Sequence, residues 1–193
     1  VYIRQREGSG ELLGVLVQDE TDPRKQVTVV AERGALVRGD ELIASWIHLP
    51  MTGHTAIAER GAGATYDGVR IPKLAPTSDA LAGVVGVGKF SAPSLHPRAE
   101  ALRKQVKQIK SLRCAGLDYL RLARGELDFI LFGRAWPWDH APGALLVEEA
   151  GGVAGHGDGS PYRPSQPFTT EGVLTARSPQ VWQQILDRLK PAH

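Results

Sequence analysis

Trp138-Asp139-His140-Ala141-Pro142-Gly143-Ala144-Leu145-Leu146-Val147-Glu148-Glu149-Ala150-Gly151-Gly152 puts one carboxylate at the head of an apolar run that stops at a glycine pair. The run predicts a helix over Asp139–Ala150, with the glycines as its stop signal. Pro142 is expected within the first turn, where amides have no intrahelical acceptor. The head of a helix carries unpaired amides and the positive end of the helix dipole, a combination that favours phosphate. A carboxylate placed there repels phosphate unless a divalent cation sits between them. Asp139 therefore reads as a metal ligand beside an anion pocket; the plainer alternative is an N-capping Asp.

The bulk properties set outer bounds. The 193 residues are read as one domain, and 42% hydrophobic content is ordinary for a globule. A formal charge of +2 gives no steering toward nucleic acid or membrane. No apolar run approaches a bilayer span and no secretory signal is visible, so neither partner is expected. A single cysteine, Cys114, excludes an internal disulfide and fits a reducing cytoplasm. The chain starts at Val1 rather than Met, which suggests that its natural start lies elsewhere.

Apolar and β-branched runs predict strands over Leu12–Gln18, Val27–Ala31, Leu42–Leu49, Thr55–Ala58, Leu81–Val87, Asp128–Phe132 and Gly172–Ala176. Asp67-Gly68 is a tight-hairpin signal. Helices are expected over Glu100–Gln108, with Ala101, Leu102, Val106 and Ile109 as its apolar side, over Ala115–Ala123 closed by Gly125, and over Pro179–Leu189. Helices alternating with antiparallel hairpins point to an α+β or layered α/β fold, not a doubly wound parallel sheet.

The opening motif resembles the C-terminal signature of the inositol monophosphatase-like, magnesium-dependent phosphatases. Ala58-Glu59-Arg60-Gly61-Ala62-Gly63-Ala64 with Asp67-Gly68 resembles that family's central hairpin. Arg113-Cys114-Ala115-Gly116-Leu117-Asp118 through Gly125-Glu126-Leu127-Asp128 resembles its helix and strand before the Trp-Asp pair. The match is nearly continuous over 27–193, while 1–26 is a poorly matched remnant, so the N-terminal part looks incomplete. The resemblance implies the sugar-phosphatase fold of stacked helix and sheet layers. It also implies hydrolysis of a small phosphorylated metabolite (an inositol phosphate or related sugar or alcohol phosphate), Mg2+ as cofactor, and a homodimer. The other reading is a catalytically silent relative that acts as a binding protein.

By the same resemblance, Asp139 would hold the metal nearer the leaving group, while Glu20, the second residue of the acidic pair Asp19-Glu20, would hold the metal that activates water; the plainer reading of that pair is a solvated acidic turn. Cys114, Ala115, Arg134 and His140 would face the substrate. Two positions depart from the inositol enzymes: Arg113 stands where Gly is usual, and Phe132 where a Glu often binds inositol hydroxyls. With Arg134 close to the motif, these departures turn the reading away from inositol toward another phosphorylated metabolite, one with an extra anionic group for an arginine; the plainer reading of both arginines is surface solvation. The family's Asp-Pro-x-Asp-Gly-Thr metal loop does not occur in the 193 residues, and the interval from Thr21 to Gln26 is too short to hold it. Residues missing from the chain are the favoured explanation, and without the loop the chain is expected not to turn over.

Gly83-Val84-Val85-Gly86-Val87-Gly88-Lys89 fits the start of a phosphate-binding P-loop, but Phe90 replaces the Ser or Thr that magnesium needs and Pro93 obstructs the helix. It reads instead as a buried glycine-rich strand. Cys114 reads as a small buried residue, and Trp136 and Trp138 as walls packed beneath the site.

Overall fold

The computed structural model describes residues 2–3, 15–19, 27–30, 33–38, 41–73, 80–166 and 169–190. Near the N-terminus, β1 (Tyr2–Ile3), β2 (Val15–Asp19) and β3 (Val27–Val30) form a small antiparallel sheet with Asp19 opposite Val27. Next comes an antiparallel meander of β4 (Arg33–Arg38), β5 (Glu41–Leu49), β6 (His54–Glu59), β7 (Gly63–Tyr66) and β8 (Val69–Arg70). The β7–β8 connection is the hairpin that Asp67-Gly68 predicts: both residues sit at positive φ, 51° and 78°, as a type I′ turn requires.

The second large sheet is mixed. It contains β9 (Ala82–Gly86), β10 (Lys107–Gln108), β11 (Phe129–Phe132), β12 (Val153–Gly155) and β13 (Val173–Ala176), in the order β10-β9-β11-β13-β12. The first three strands of that order run parallel, and β13 is antiparallel to both its neighbours. Parallel neighbours need crossovers. These are α1 (Leu95–Arg103) between β9 and β10 and α2 (Ala115–Ala123) between β10 and β11. After β11 the chain enters α3 (Pro137–Glu149), and α4 (Pro179–Leu189) closes the fold with the Ser178 hydroxyl accepting from the Val181 amide.

Side-chain alternation on the mixed sheet separates two cores. Val84, Ile130 and Val173 face α2 and α3, whereas Phe129, Leu131, Leu174 and Ala176 face α1 and α4. The other side of the α2–α3 layer meets the meander through Leu42, Ile47, Ala56 and Ala58. The order of layers is thus helices α1 and α4, mixed sheet, helices α2 and α3, meander. This is the expected layered α/β architecture. A helix between two sheets has no solvent face, and Ala144, Leu145, Leu146 and Val147 of α3 are all buried. Each such leucine contributes roughly 2 kcal/mol by burial. Gly143 lets the two central helices approach, since a Cβ there would lie 2.1 Å from the Tyr119 ring.

Three expectations are corrected. The helix expected over Glu100–Gln108 runs instead over Leu95–Arg103, with Leu95, Ala99 and Leu102 on its buried side. Lys107–Gln108 belongs to β10, held by bonds from Lys107 N to Leu81 O and from Ile109 N to Gly83 O. Val106 and Ile109 pack into opposite cores, the period-two placement of a strand. Secondly, the signature helix begins two residues early, at Pro137, with Trp136 as N-cap. Asp139 is therefore the third helical residue rather than a cap, and Pro142 lies beyond the first turn. Thirdly, three parallel strands stand where hairpins alone were anticipated. No helix among the described residues is long and apolar enough to cross a membrane.

Candidate active site

The parallel strands decide where a site forms. In open α/β sheets, ligands bind beyond the carboxyl ends of such strands, where loops splay toward helix N-termini. Here Gly88 and Lys89 follow β9, Ser111 and Arg113 follow β10, and Gly133 and Arg134 follow β11; all line one cavity of about 370 Å³. Two helices begin on the same cavity. Cys114, the N-cap of α2, lines it with Ala115, and Trp136, the N-cap of α3, lines it with Asp139 and His140. Each helix end brings roughly half a positive charge.

The motif residues thus converge, though not in the manner expected. Pro137 has no amide hydrogen, and the amides of Asp139 and His140 both donate to the Trp136 carbonyl, at 3.0 and 3.1 Å. The head of α3 therefore offers an anion its dipole more than a row of open donors, and the Asp139 carboxylate beside it suits a cation. That carboxylate is near enough to Tyr162 to act on it: burial and the Asp139 charge together push the phenol well above its ordinary range. The Tyr162 hydroxyl is buried and has no hydrogen-bond partner among the described residues.

His140 is 4% exposed, and its Nδ1 shares a 3.0 Å hydrogen bond with the Tyr119 hydroxyl. Phe132 packs on its ring at 5.1 Å, so the imidazole has one fixed orientation at the cavity wall. The loop before α2 is fixed as well. The buried Asp118 carboxylate accepts from the Ser111 hydroxyl at 2.5 Å and the Leu112 amide at 3.2 Å, and Ser111 Oγ accepts from the Arg113 amide at 3.0 Å. This network holds Arg113 at φ 60°, a left-handed conformation that costs a non-glycine residue on the order of 1 kcal/mol.

Further corrections concern the walls. Cys114 is half-buried at the cavity rather than sunk in the core. Trp138 is 64% exposed and stacks on Trp136 with ring centres 5.1 Å apart; only Trp136 lines the cavity. Gly83–Gly86 lies in β9 as expected of a buried strand, yet its continuation supplies Gly88, Lys89, Phe90 and Ser91 to the site. In the sequence, Gly88, Lys89 and Phe90 read only as part of a failed P-loop and Ser91 goes unnamed, because only the parallel pairing of β9 with β10 and β11 brings them to the site. Lys89 and Arg134 flank the Phe90 ring at 4.7 and 4.8 Å, and Arg134 Nε donates to the Phe90 carbonyl. A second cavity of about 340 Å³ abuts this wall, lined by Phe90, Arg134, Trp136, Thr169 and Thr170. Glu20 lies outside the described residues.

Magnesium prefers oxygen donors, keeps several waters, and is commonly held by one or two carboxylates together with substrate phosphate. Asp139 fits a share in such a shell. No group of three or more His, Cys, Asp or Glu that could hold a metal occurs among the described residues.

The layered fold is that of the inositol monophosphatases of known structure. It superimposes on an inositol monophosphatase from Zymomonas mobilis with a TM-score of 0.71 at 16% identity, covering 80% of this chain and 60% of that one. The inositol monophosphatase family profile matches residues 29–189, and the chain belongs to that family. It is 29% identical over 121 residues to a fructose-1,6-bisphosphatase/inositol-1-monophosphatase of Thermotoga maritima, covering 62% of this chain and 46% of that protein. Identity is 33% over 156 residues with a probable inositol 1-monophosphatase of Mycobacterium tuberculosis, covering 76% and 55%. The chain spans about half the length of these curated relatives.

Proposed function

We propose that this single domain is the substrate-holding part of a magnesium-dependent phosphomonoesterase that acts on a small phosphorylated metabolite. The observation that carries the reading is the position of Asp139, at a cavity where two helix N-termini and the loops after three parallel strands meet. Phosphoryl transfer asks a protein for placed charge and orientation more than for covalent chemistry. The α2 and α3 dipoles with Lys89, Arg113 and Arg134 draw the phosphate, and Tyr119 keeps His140 oriented against the substrate's alcohol portion. Asp139 would hold magnesium, which supplies positive charge at the phosphoryl oxygens and activates water. Cys114 and Ala115 would border the substrate. Glu20 as second metal ligand, a homodimer and a cytoplasmic setting are carried by the family resemblance alone.

The catalytically silent reading has its own support, since the Asp-Pro-x-Asp-Gly-Thr run is absent from the sequence. A panel of phosphorylated metabolites assayed for phosphate release with magnesium separates the two. The 193 residues alone are expected to bind such esters without releasing phosphate, and the same chain carrying the loop before Val27 to release it. Binding without release from the loop-bearing chain would favour the silent reading. A magnesium-dependent rate from the 193 residues alone would show that the loop is dispensable.

A further inference from the structure

Buried polar groups are normally hydrogen-bonded, and a hydroxyl left without a partner costs stability. Tyr162 departs from that rule: it is 8% exposed, and its hydroxyl is buried with no partner among the described residues. The other such hydroxyls among the described residues, on Ser45 and Thr175, sit inside β5 and β13, and neither strand lines the cavity. Tyr162 is placed differently.

β11 and β12 both run antiparallel to β13 and therefore point the same way. The loop after β12 thus opens on the edge of the sheet where the cavity lies, and Tyr162 closes that loop. The loop is tightly fixed. The His156 amide donates to the Ser160 carbonyl at 2.8 Å, the Gly159 amide donates to the His156 carbonyl at 2.9 Å, and Gly155 pairs with Pro161 in a β-bridge. Asp158 accepts from the Ser160 amide and hydroxyl, at 2.9 and 2.7 Å. The buried His156 packs its ring on Tyr162 with centres 5.9 Å apart, and its Nδ1 is engaged by the Gly172 carbonyl at 2.7 Å. Burial first, and the Asp139 charge second, hold the phenol above its ordinary range, so the hydroxyl keeps its proton and can donate it.

A carboxylate that gives one oxygen to a metal has a second oxygen to satisfy, and outer donors of this kind commonly orient metal-holding side chains. We infer that Tyr162 is a positioning residue for Asp139, its hydroxyl donating to one carboxylate oxygen when the other is engaged by magnesium. Metal binding completes the bond. The inference rests on the phosphatase reading for the metal and deepens it. Tyr162 does not line the cavity, so it acts through Asp139 and not on the substrate.

Tyr162→Phe removes the hydroxyl and keeps the ring. The test compares the unaltered chain, Tyr162→Phe and Asp139→Asn, reading Tm without metal and affinity for manganese(II), which takes the same oxygen donors as magnesium and reports its free concentration by spin resonance. The Phe variant is expected to melt no lower than the unaltered chain, since no hydrogen bond of the metal-free protein is lost. It is expected to bind manganese about tenfold or more weakly, the usual effect of losing an outer donor. Equal manganese affinity in the two proteins would overturn the role and leave Asp139 as a metal ligand. A metal-free Phe variant that melts several degrees lower would overturn it as well, because the hydroxyl would then be satisfied within the fold. An unaltered chain that binds manganese no better than Asp139→Asn would defeat the metal reading, and the role of Tyr162 with it.

Discussion

The two ends of α3 come from one continuous motif and do different work. At its N-terminal end, Trp136, Asp139 and His140 border a cavity, with aromatic rings on either side. At its C-terminal end, Glu149 accepts hydrogen bonds from the Gly61 and Gly63 amides at 3.0 and 2.9 Å, and Glu148 pairs with Arg60 at 2.8 Å. The C-terminal carboxylates therefore cap the β6–β7 turn and bind the meander to the helical layer. Burial pushes the Glu148 carboxyl above its ordinary range, against the pull of Arg60. A sequence motif that looks uniform thus joins a ligand-facing end to a purely architectural one, and acidity alone does not tell them apart. What distinguishes them is the neighbour: strand ends and helix heads on one side, turn amides and an arginine on the other.

The largest expected effect lies midway between the ends. Gly143→Val drives a side chain into the Tyr119 ring and should cost about 3 kcal/mol, read as a fall in Tm. It should also loosen His140, because Tyr119 holds that ring. Unchanged stability would mean that α2 and α3 are not closely packed. Next, Glu149→Ala strands two turn amides and should cost about 2 kcal/mol by chemical denaturation. Phosphate binding at the far end should persist; its loss would break the division between the ends.

A smaller effect belongs to the hairpin beyond that capped turn. The Thr55 amide, helped by His54, holds the Asp67 carboxyl below its ordinary 3.8 despite the opposing cost of burial. A depressed acid stabilises fully above its unfolded value and loses that contribution as pH falls through the folded one. Asp67→Asn should therefore lower Tm slightly at neutral pH and flatten the acid side of a Tm-versus-pH curve below about 3.8, so that the two proteins converge there. An unaltered acid limb would show that the hairpin contributes nothing to it.

Much of this was legible in the residues because the signals were local. Asp67-Gly68 names its turn, Gly125 closes α2, and the apolar run of α3 announces a helix with no solvent face. The site was legible only through its motif. Lys89, Phe90, Ser91 and Ser111 were not legible as site residues because nothing local marks them as such; β10 is two residues long, and only its parallel pairing with β9 brings Arg113 to the cavity. The engagement of the Asp139 and His140 amides with Trp136 was equally invisible, since it depends on the helix starting at Pro137.

The claim that Asp139 joins a metal to a phosphate has a signed test in phosphate affinity, measured with and without magnesium, for the unaltered chain and for Asp139→Asn. Without magnesium the carboxylate repels the ligand, so the Asn variant should bind phosphate more tightly than the unaltered chain. With magnesium the unaltered chain should gain about tenfold or more and the variant little, since coupling between two ligands acts equally in both directions. Equal gains in both proteins, or none in the unaltered chain, would contradict the assignment of Asp139.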